Sequence, residues 1–255
     1  MLLSGCGAPR CAGVDGACYT VDDGRYLAEV PAGWDGEAAL DVVFFFHGYS
    51  SSAGGIRDRL WADPDASGSG RLFIFPDGRD ETWAHVGSPS AARDELAFFD
   101  AVLADVSARW PVGRLFVSGF SQGGSMAWDI ACYRGNLLDG AFPASGAFWE
   151  PLPERCADGA VALRHTHGLG DQTVPMAGRP IGASMQGDVY EGVAVWREAN
   201  GCAAAPDAEV VEGPSTCAVW SSCSSSRPLW LCLHDGGHRT PEGWMGRNLA
   251  WIDSL

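Results

Sequence analysis

"RLFVSGFSQGGSMAWDIACYR", residues 114–134, joins a strand-type run to a helix-type run across one glycine-flanked serine. The stretch 114–120 is an apolar run of strand type. The stretch 122–134 is small and apolar at helical spacing. Between them Ser121 stands in a Gly-x-Ser-x-Gly pattern with Gly119 and Gly123. A strand that turns directly into a helix leaves no room for side chains beside the turn, so both flanking positions must be small. Gly124 lets the new helix pack close. Such a turn holds a serine hydroxyl out at the end of a sheet, where it is free to act as a nucleophile. The pattern is weak by itself. The bland alternative is a serine at a helix N-terminus with no base beside it.

The flanking chain repeats the same alternation. Residues 40–48, "LDVVFFFHG", and 71–78, "RLFIFPDG", are continuous apolar runs ended by glycine or proline, as in strands buried on both faces. Residues 91–110 have helical periodicity, with Leu96, Phe99, Val102, Leu103 and Val106 on one face and Pro111 as a stop. Further strands are expected at 138–146 and 160–171, a strand and loop at 228–238, and helices at 187–202 and 242–255. Residues 18–34 read as two short strands around an Asp-Gly turn. Strand–helix alternation with near-uniform apolar strands predicts an α/β fold, a mostly parallel central sheet with helices on both faces. No long linker, internal repeat or second-domain signal is present. The expected organisation is an irregular segment over 1–17 and one catalytic domain over 18–255.

Composition excludes several classes. The chain has 255 residues and a net charge of −15, with no run of basic residues, so nucleic acid or an anionic membrane surface is not an expected partner. No apolar window is long enough for a transmembrane helix. Nine cysteines without zinc-type spacing point to disulfides and an oxidising compartment. "MLLSGC" resembles the lipobox of bacterial lipoproteins, which implies lipidation at Cys6 and a cell-envelope location; secretion or the periplasm is the wider expectation. Setting Cys6 aside, Cys11 and Cys18 can close a small loop, and Cys132 and Cys156 flank one expected strand. Eight cysteines allow 105 pairings and the sequence alone does not choose among them; a hairpin turning near Ser225 would put Cys217 across from Cys232, which would leave Cys202 for Cys223.

A serine hydroxyl is a poor nucleophile unless a base takes its proton, and a histidine base needs a carboxylate to fix its tautomer. "HTHGLGDQTVP" puts Asp171 in the loop after an expected strand, and "LHDGGHRTP" puts His238 after the next. The chain order Ser, Asp, His and the strand-end placement fit a triad of Ser121, Asp171 and His238. Rivals rank lower: Asp94 precedes the nucleophile, Asp235 sits in a turn, and His234 falls within a strand. His165 and His167 alternate along one strand face, where a metal pair is conceivable but lacks a third ligand. No metal or organic cofactor is expected.

Together "FFFHGYSSS", "FIFPDG", "RDELAFFDAVL", "RLFVSGFSQGG", "HGLGDQTVP" and "HDGGHRTP" resemble the α/β-hydrolase esterases of the polyhydroxybutyrate depolymerase-like and feruloyl esterase-like group, over about residues 40–255. The resemblance implies the same triad and no cofactor. One oxyanion donor is expected to be the Gln122 amide, directly after the nucleophile. The resemblance supplies the other as the Tyr49 amide, after His47-Gly48. His47 itself is expected to brace that loop, the alternative being a second base. It also places Trp83 and His85 near the substrate cleft; Trp149 can form a second wall. Either tryptophan can instead pack beneath a loop. Residues 176–192 form a long connection that can lie over the cleft. The expected activity is hydrolysis of hydroxyalkanoate-type polyesters or oligoesters by a monomer. The alternative substrate is a feruloyl or acetyl ester of plant polysaccharide. From another class, the alternative is a lipid-anchored binding protein that keeps the fold without turnover.

Overall fold

The computed structural model describes residues 17–22 and 24–255, so Cys6 and Cys11 lie outside the described residues. The expected N-terminal hairpin is present as β1 (Cys18–Val21) and β2 (Gly24–Glu29), with Val21 opposite Gly24. Then follow β3 (Leu40–Phe46), α1 (Ala53–Trp61), the single turn α2 (Pro64–Ser67) and β4 (Leu72–Pro76). Next come α3 (Glu95–Arg109), β5 (Val112–Gly119), α4 (Gln122–Tyr133), the two-residue β6 (Gly140–Ala141) and β7 (Leu163–Gly168). After them run β8 (Arg179–Ile181), β9 (Ser184–Gln186), α5 (Val189–Asn200), β10 (Ala208–Glu212), β11 (Ser215–Trp220), β12 (Leu229–His234) and α6 (Trp244–Asp253).

Among the described residues, ten strands form one sheet in the order β1-β2-β4-β3-β5-β6-β7-β12-β11-β10. Its centre, β4 to β12, is parallel throughout, and antiparallel hairpins finish both edges. The central strands are apolar on both faces because both faces are covered. Val42, Phe44 and Phe46 of β3, with Leu72 and Ile74 of β4, pack in one core with Phe99 and Val102 of α3, Trp128 of α4 and Trp196 of α5. Val43, Phe45, Phe73 and Phe75 point the other way, against Ile56 and Leu60 of α1 and Trp244 and Leu249 of α6. This period-two division is what the continuous apolar runs require.

Local chemistry sets several element ends. α3 begins at Glu95 because the Asp94 carboxylate accepts the Ala97 N–H at 3.0 Å, capping the helix. α5 closes at Gly201 in the left-handed region, φ 65°. The expected strand over 138–146 shrinks to two residues. Pro143 has no N–H to give a regular ladder, so beyond Ala141 the sheet contact is made by single bonds: the Phe142 N–H donates to the Val117 carbonyl at 3.0 Å, the Pro143 carbonyl accepts the Thr166 N–H at 3.1 Å, and Ala144 bridges Phe120 and Thr166. The connection over 176–192 contains the small β8–β9 hairpin. Gln186 bridges Trp149 and the Glu150 amide donates to the Met185 carbonyl at 2.9 Å, so the hairpin lies on the loop that follows Ala144.

The disulfides Cys132–Cys156, Cys202–Cys223 and Cys217–Cys232 are present, the last directly across the β11–β12 register. Cys18 is also disulfide-bonded. Such bridges fit a protein that folds in an oxidising compartment.

Candidate active site

The parallel strands end on one rim, and three loops there bring Ser121, Asp171 and His238 together. Ser121 sits between β5 and α4 with φ 60° and ψ −125°, a sharp turn that exposes its hydroxyl. The glycines around it are required by backbone contact. A Cβ on Gly119 would meet the Gly123 carbonyl oxygen at 2.2 Å, and one on Gly123 would meet the Phe46 carbonyl oxygen at 2.0 Å. A Cβ on Gly124 would meet the Ala144 carbonyl oxygen at 2.4 Å. Gly123→Ala should therefore push the nucleophile turn away from β3. An added methyl in such a tight place costs ~1–3 kcal/mol of stability. A displacement of about 1 Å costs ~10²-fold in turnover. A thermal melt with kcat/KM on p-nitrophenyl acetate reads both effects.

Asp171 follows β7 and is buried, 5% exposed. Its Oδ1 accepts the Thr173 and Val174 amides, each at 2.8 Å, and its Oδ2 accepts the His238 Nδ1–H at 2.7 Å. Burial pushes this carboxyl up, but the His238 contact and the two amides outweigh burial and hold it below its ordinary value. The charged carboxylate fixes the proton on His238 Nδ1. His238 Nε2 is thereby left as an acceptor, 2.8 Å from Ser121 Oγ. The Phe120 ring packs at 4.8 Å from the imidazole, a contact that nothing in the sequence pattern signals.

The chain beside Ser121 is equally organised. A Cβ on Gly48 would lie 3.4 Å from Ser121 Cβ, so the 47–49 loop runs directly over the nucleophile. Gln122 opens α4, where first-turn amides have no intrahelical acceptor. Among the described residues, neither the Gln122 nor the Tyr49 amide donates to a protein acceptor. The Tyr49 side chain is 71% exposed.

His47 is fully buried. Its Nε2 accepts the Gly78 N–H at 2.8 Å, which leaves Nδ1 to donate to the Gly48 carbonyl at 2.8 Å. Burial lowers its pKa, so the ring stays neutral and acts as a brace between two loops. Trp83 joins that brace from below. It is fully buried, and its Nε1–H donates to the His47 carbonyl at 2.8 Å. The Gln122 side chain donates to Thr82 Oγ1 at 2.8 Å and to the Trp83 carbonyl at 3.3 Å. Residues 82 and 83 thus tie α4 to the 47–49 loop.

Trp83 therefore packs beneath a loop rather than offering a wall to a cleft, since an apolar ring next to β3 gains more from full burial than from a wet surface. His85 and Trp149 are also buried, at 5% and 6% exposed. Their rings are near parallel at 6.4 Å, His85 is bonded to the buried Asp129 at 3.0 Å, and the β8–β9 hairpin covers Trp149. The rival groups are engaged elsewhere. Asp94 caps α3 and Asp235 is exposed in its turn. His234 accepts the Gly236 amide on Nδ1 and donates from Nε2 to the Arg239 carbonyl. His165 and His167 bond to one another, and no cluster of three metal-ligating side chains occurs among the described residues.

No family model matches the chain. It is similar to a probable feruloyl esterase C of Aspergillus clavatus, 26% identical over 235 residues, covering 89% of this chain and 79% of that protein. It is also similar to feruloyl esterase D of Neurospora crassa, 25% identical over 242 residues, covering 88% and 77%. Among solved structures, the acetyl xylan esterase of Aspergillus awamori superposes with a TM-score of 0.67 at 14% identity, covering 94% of this chain and 100% of that one. With the parallel sheet, the rim site and these likenesses, the chain is a carboxylic ester hydrolase of the α/β-hydrolase fold.

Proposed function

We propose that hydrolysis proceeds through an acyl-enzyme on Ser121, with His238 as base and Asp171 as its orienting carboxylate. The observation that carries this reading is the unbroken pair of hydrogen bonds from Ser121 Oγ through His238 to Asp171 Oδ2. Ser121 Oγ attacks the ester carbonyl while its proton passes to His238 Nε2. The Gln122 and Tyr49 amides receive the oxyanion, where each such donor is worth ~2.7–4 kcal/mol of transition-state stabilisation. The intermediate collapses as His238 protonates the leaving alcohol. Water then attacks the acyl-enzyme, gives its proton to His238, and the acid leaves with Ser121 restored. Asp171 stays ionised throughout, stabilising the imidazolium. The enzyme acts as a monomer, and lipidation at Cys6 would tether it to the cell envelope.

For the substrate, the names of the curated relatives support a feruloyl ester of plant polysaccharide. The hydroxyalkanoate oligoester is the second reading, supported by the "HGLGDQTVP" and "GGHRTP" segments. A panel of methyl ferulate, acetylated xylan and hydroxybutyrate trimer, with product analysis, separates them. Methyl ferulate is expected to exceed the trimer by at least ~10-fold in kcat/KM, the discrimination expected from about 1.4 kcal/mol of pocket contacts. The reverse order overturns the feruloyl reading and leaves the serine mechanism standing.

A further inference from the structure

β7 carries two fully buried histidines that no step above uses, His165 and His167. Trp128 of α4 donates its Nε1–H to His165 Nδ1 at 3.1 Å. His165 Nε2 meets His167 Nδ1 at 2.9 Å, and His167 Nε2 reaches the Val174 carbonyl at 2.8 Å. The direction of this chain is forced, because an indole N–H only donates and a carbonyl only accepts. Each imidazole therefore carries its one proton on Nε2, and each is neutral. A second proton on either ring would set N–H against N–H. Burial lowers both rings' pKa values, that of His165 furthest. With both ring nitrogens of each histidine engaged, no lone pair is left for a metal.

The chain ends on the Asp171 turn. The Val174 peptide has its carbonyl held by His167 and gives its N–H to Asp171 Oδ1 at 2.8 Å. His167 Nε2 also lies 3.5 Å from Asp171 Oδ2, the oxygen that faces His238. At its other end Trp128 belongs to the helix that begins directly after Ser121. A single line of polar contacts thus crosses the core from the nucleophile's helix to the orienting carboxylate's turn. Buried polar groups of this kind rigidify when every member is satisfied.

We infer that Trp128, His165 and His167 form a positioning relay that holds the 171–174 turn in register with α4, so that Asp171 Oδ2 points at His238. This rests on the serine mechanism proposed above. None of the three touches substrate; they act through Asp171.

His167→Leu and His167→Gln test it. Leucine keeps bulk but removes both polar contacts, whereas glutamine retains an N–H able to reach the Val174 carbonyl. Sites are counted by exhaustive fluorophosphonate labelling, so that unfolded protein does not enter kcat. The leucine variant is expected to lose ~10²-fold in kcat per labelled site, the effect of a small misplacement, with KM within about threefold. The glutamine variant should recover most of that loss. Trp128→Phe, which removes the first donor and keeps an aromatic ring, should lose roughly tenfold in kcat and serves if the leucine variant does not fold. Wild-type kcat per labelled site in His167→Leu, or in Trp128→Phe where leucine is not folded, overturns the relay. Failure of folded wild-type protein to label at Ser121 would instead remove the mechanism beneath it.

Discussion

Replacing Ser121 with alanine is expected to lower kcat on a p-nitrophenyl ester by ~10⁶-fold, the size of loss seen when a serine nucleophile is removed from a triad. The fold should survive. Among the described residues, Ser121 Oγ makes one side-chain bond, to His238, and that imidazole keeps its Asp171 partner without it. Alanine retains the Cβ, so the turn at φ 60° carries no new steric demand. A thermal melt close to wild type beside the lost turnover is the expected pair of results. Turnover above about 1% of wild type would mean that another group attacks the ester.

Asp171→Asn is expected to cost ~10⁴-fold in kcat, by a different route. The amide oxygen can still accept the Thr173 and Val174 N–H groups, so the turn keeps both of its 2.8 Å bonds. The NH₂ then faces His238 Nδ1 as a donor. The imidazole must answer as an acceptor, which moves its proton to Nε2 and points it at Ser121 Oγ. In that tautomer the ring has no lone pair for the serine proton. KM should change little, because no substrate contact is removed. Steady-state kinetics on the folded variant read the split. A loss under tenfold would show that Asp171 does not set the His238 tautomer.

Much of this site was legible in the sequence because its demands are local. A nucleophile turn needs glycine wherever a Cβ would strike backbone, and Gly119 and Gly123 meet Gly123 and Phe46 in just that way. Apolar runs at 40–48 and 71–78 mark strands covered on both faces, and residues at such strand ends gather at one rim. What was not legible depends on who covers whom. Trp83, His85 and Trp149 carry the same composition whether they line a cleft or lie under a loop. Only the meeting of the 82–83 segment with Gln122, and of the β8–β9 hairpin with Trp149, decides it. α1 carries two consecutive glycines, Gly54 and Gly55, in its first turn, and is held by its Ser52 cap and by packing of Ile56 and Leu60. The stretch 138–146 stays bonded to its neighbours through Phe142, Pro143 and Ala144, but the missing N–H of Pro143 keeps it from a regular ladder. The link from Trp128 to Val174 joins residues brought together only by the sheet, so no spacing rule reveals it.

On the proposed mechanism Ser121 Oγ is the atom that becomes acylated. Intact-mass measurement with peptide mapping, after reaction of the folded protein with a fluorophosphonate, tests it most directly. The expected result is one adduct per chain on Ser121, absent from Ser121→Ala and formed far more slowly in Asp171→Asn. A folded wild-type protein that stays unmodified, or that carries its adduct on another residue while Ser121→Ala still hydrolyses ester, would rule out Ser121 as the nucleophile.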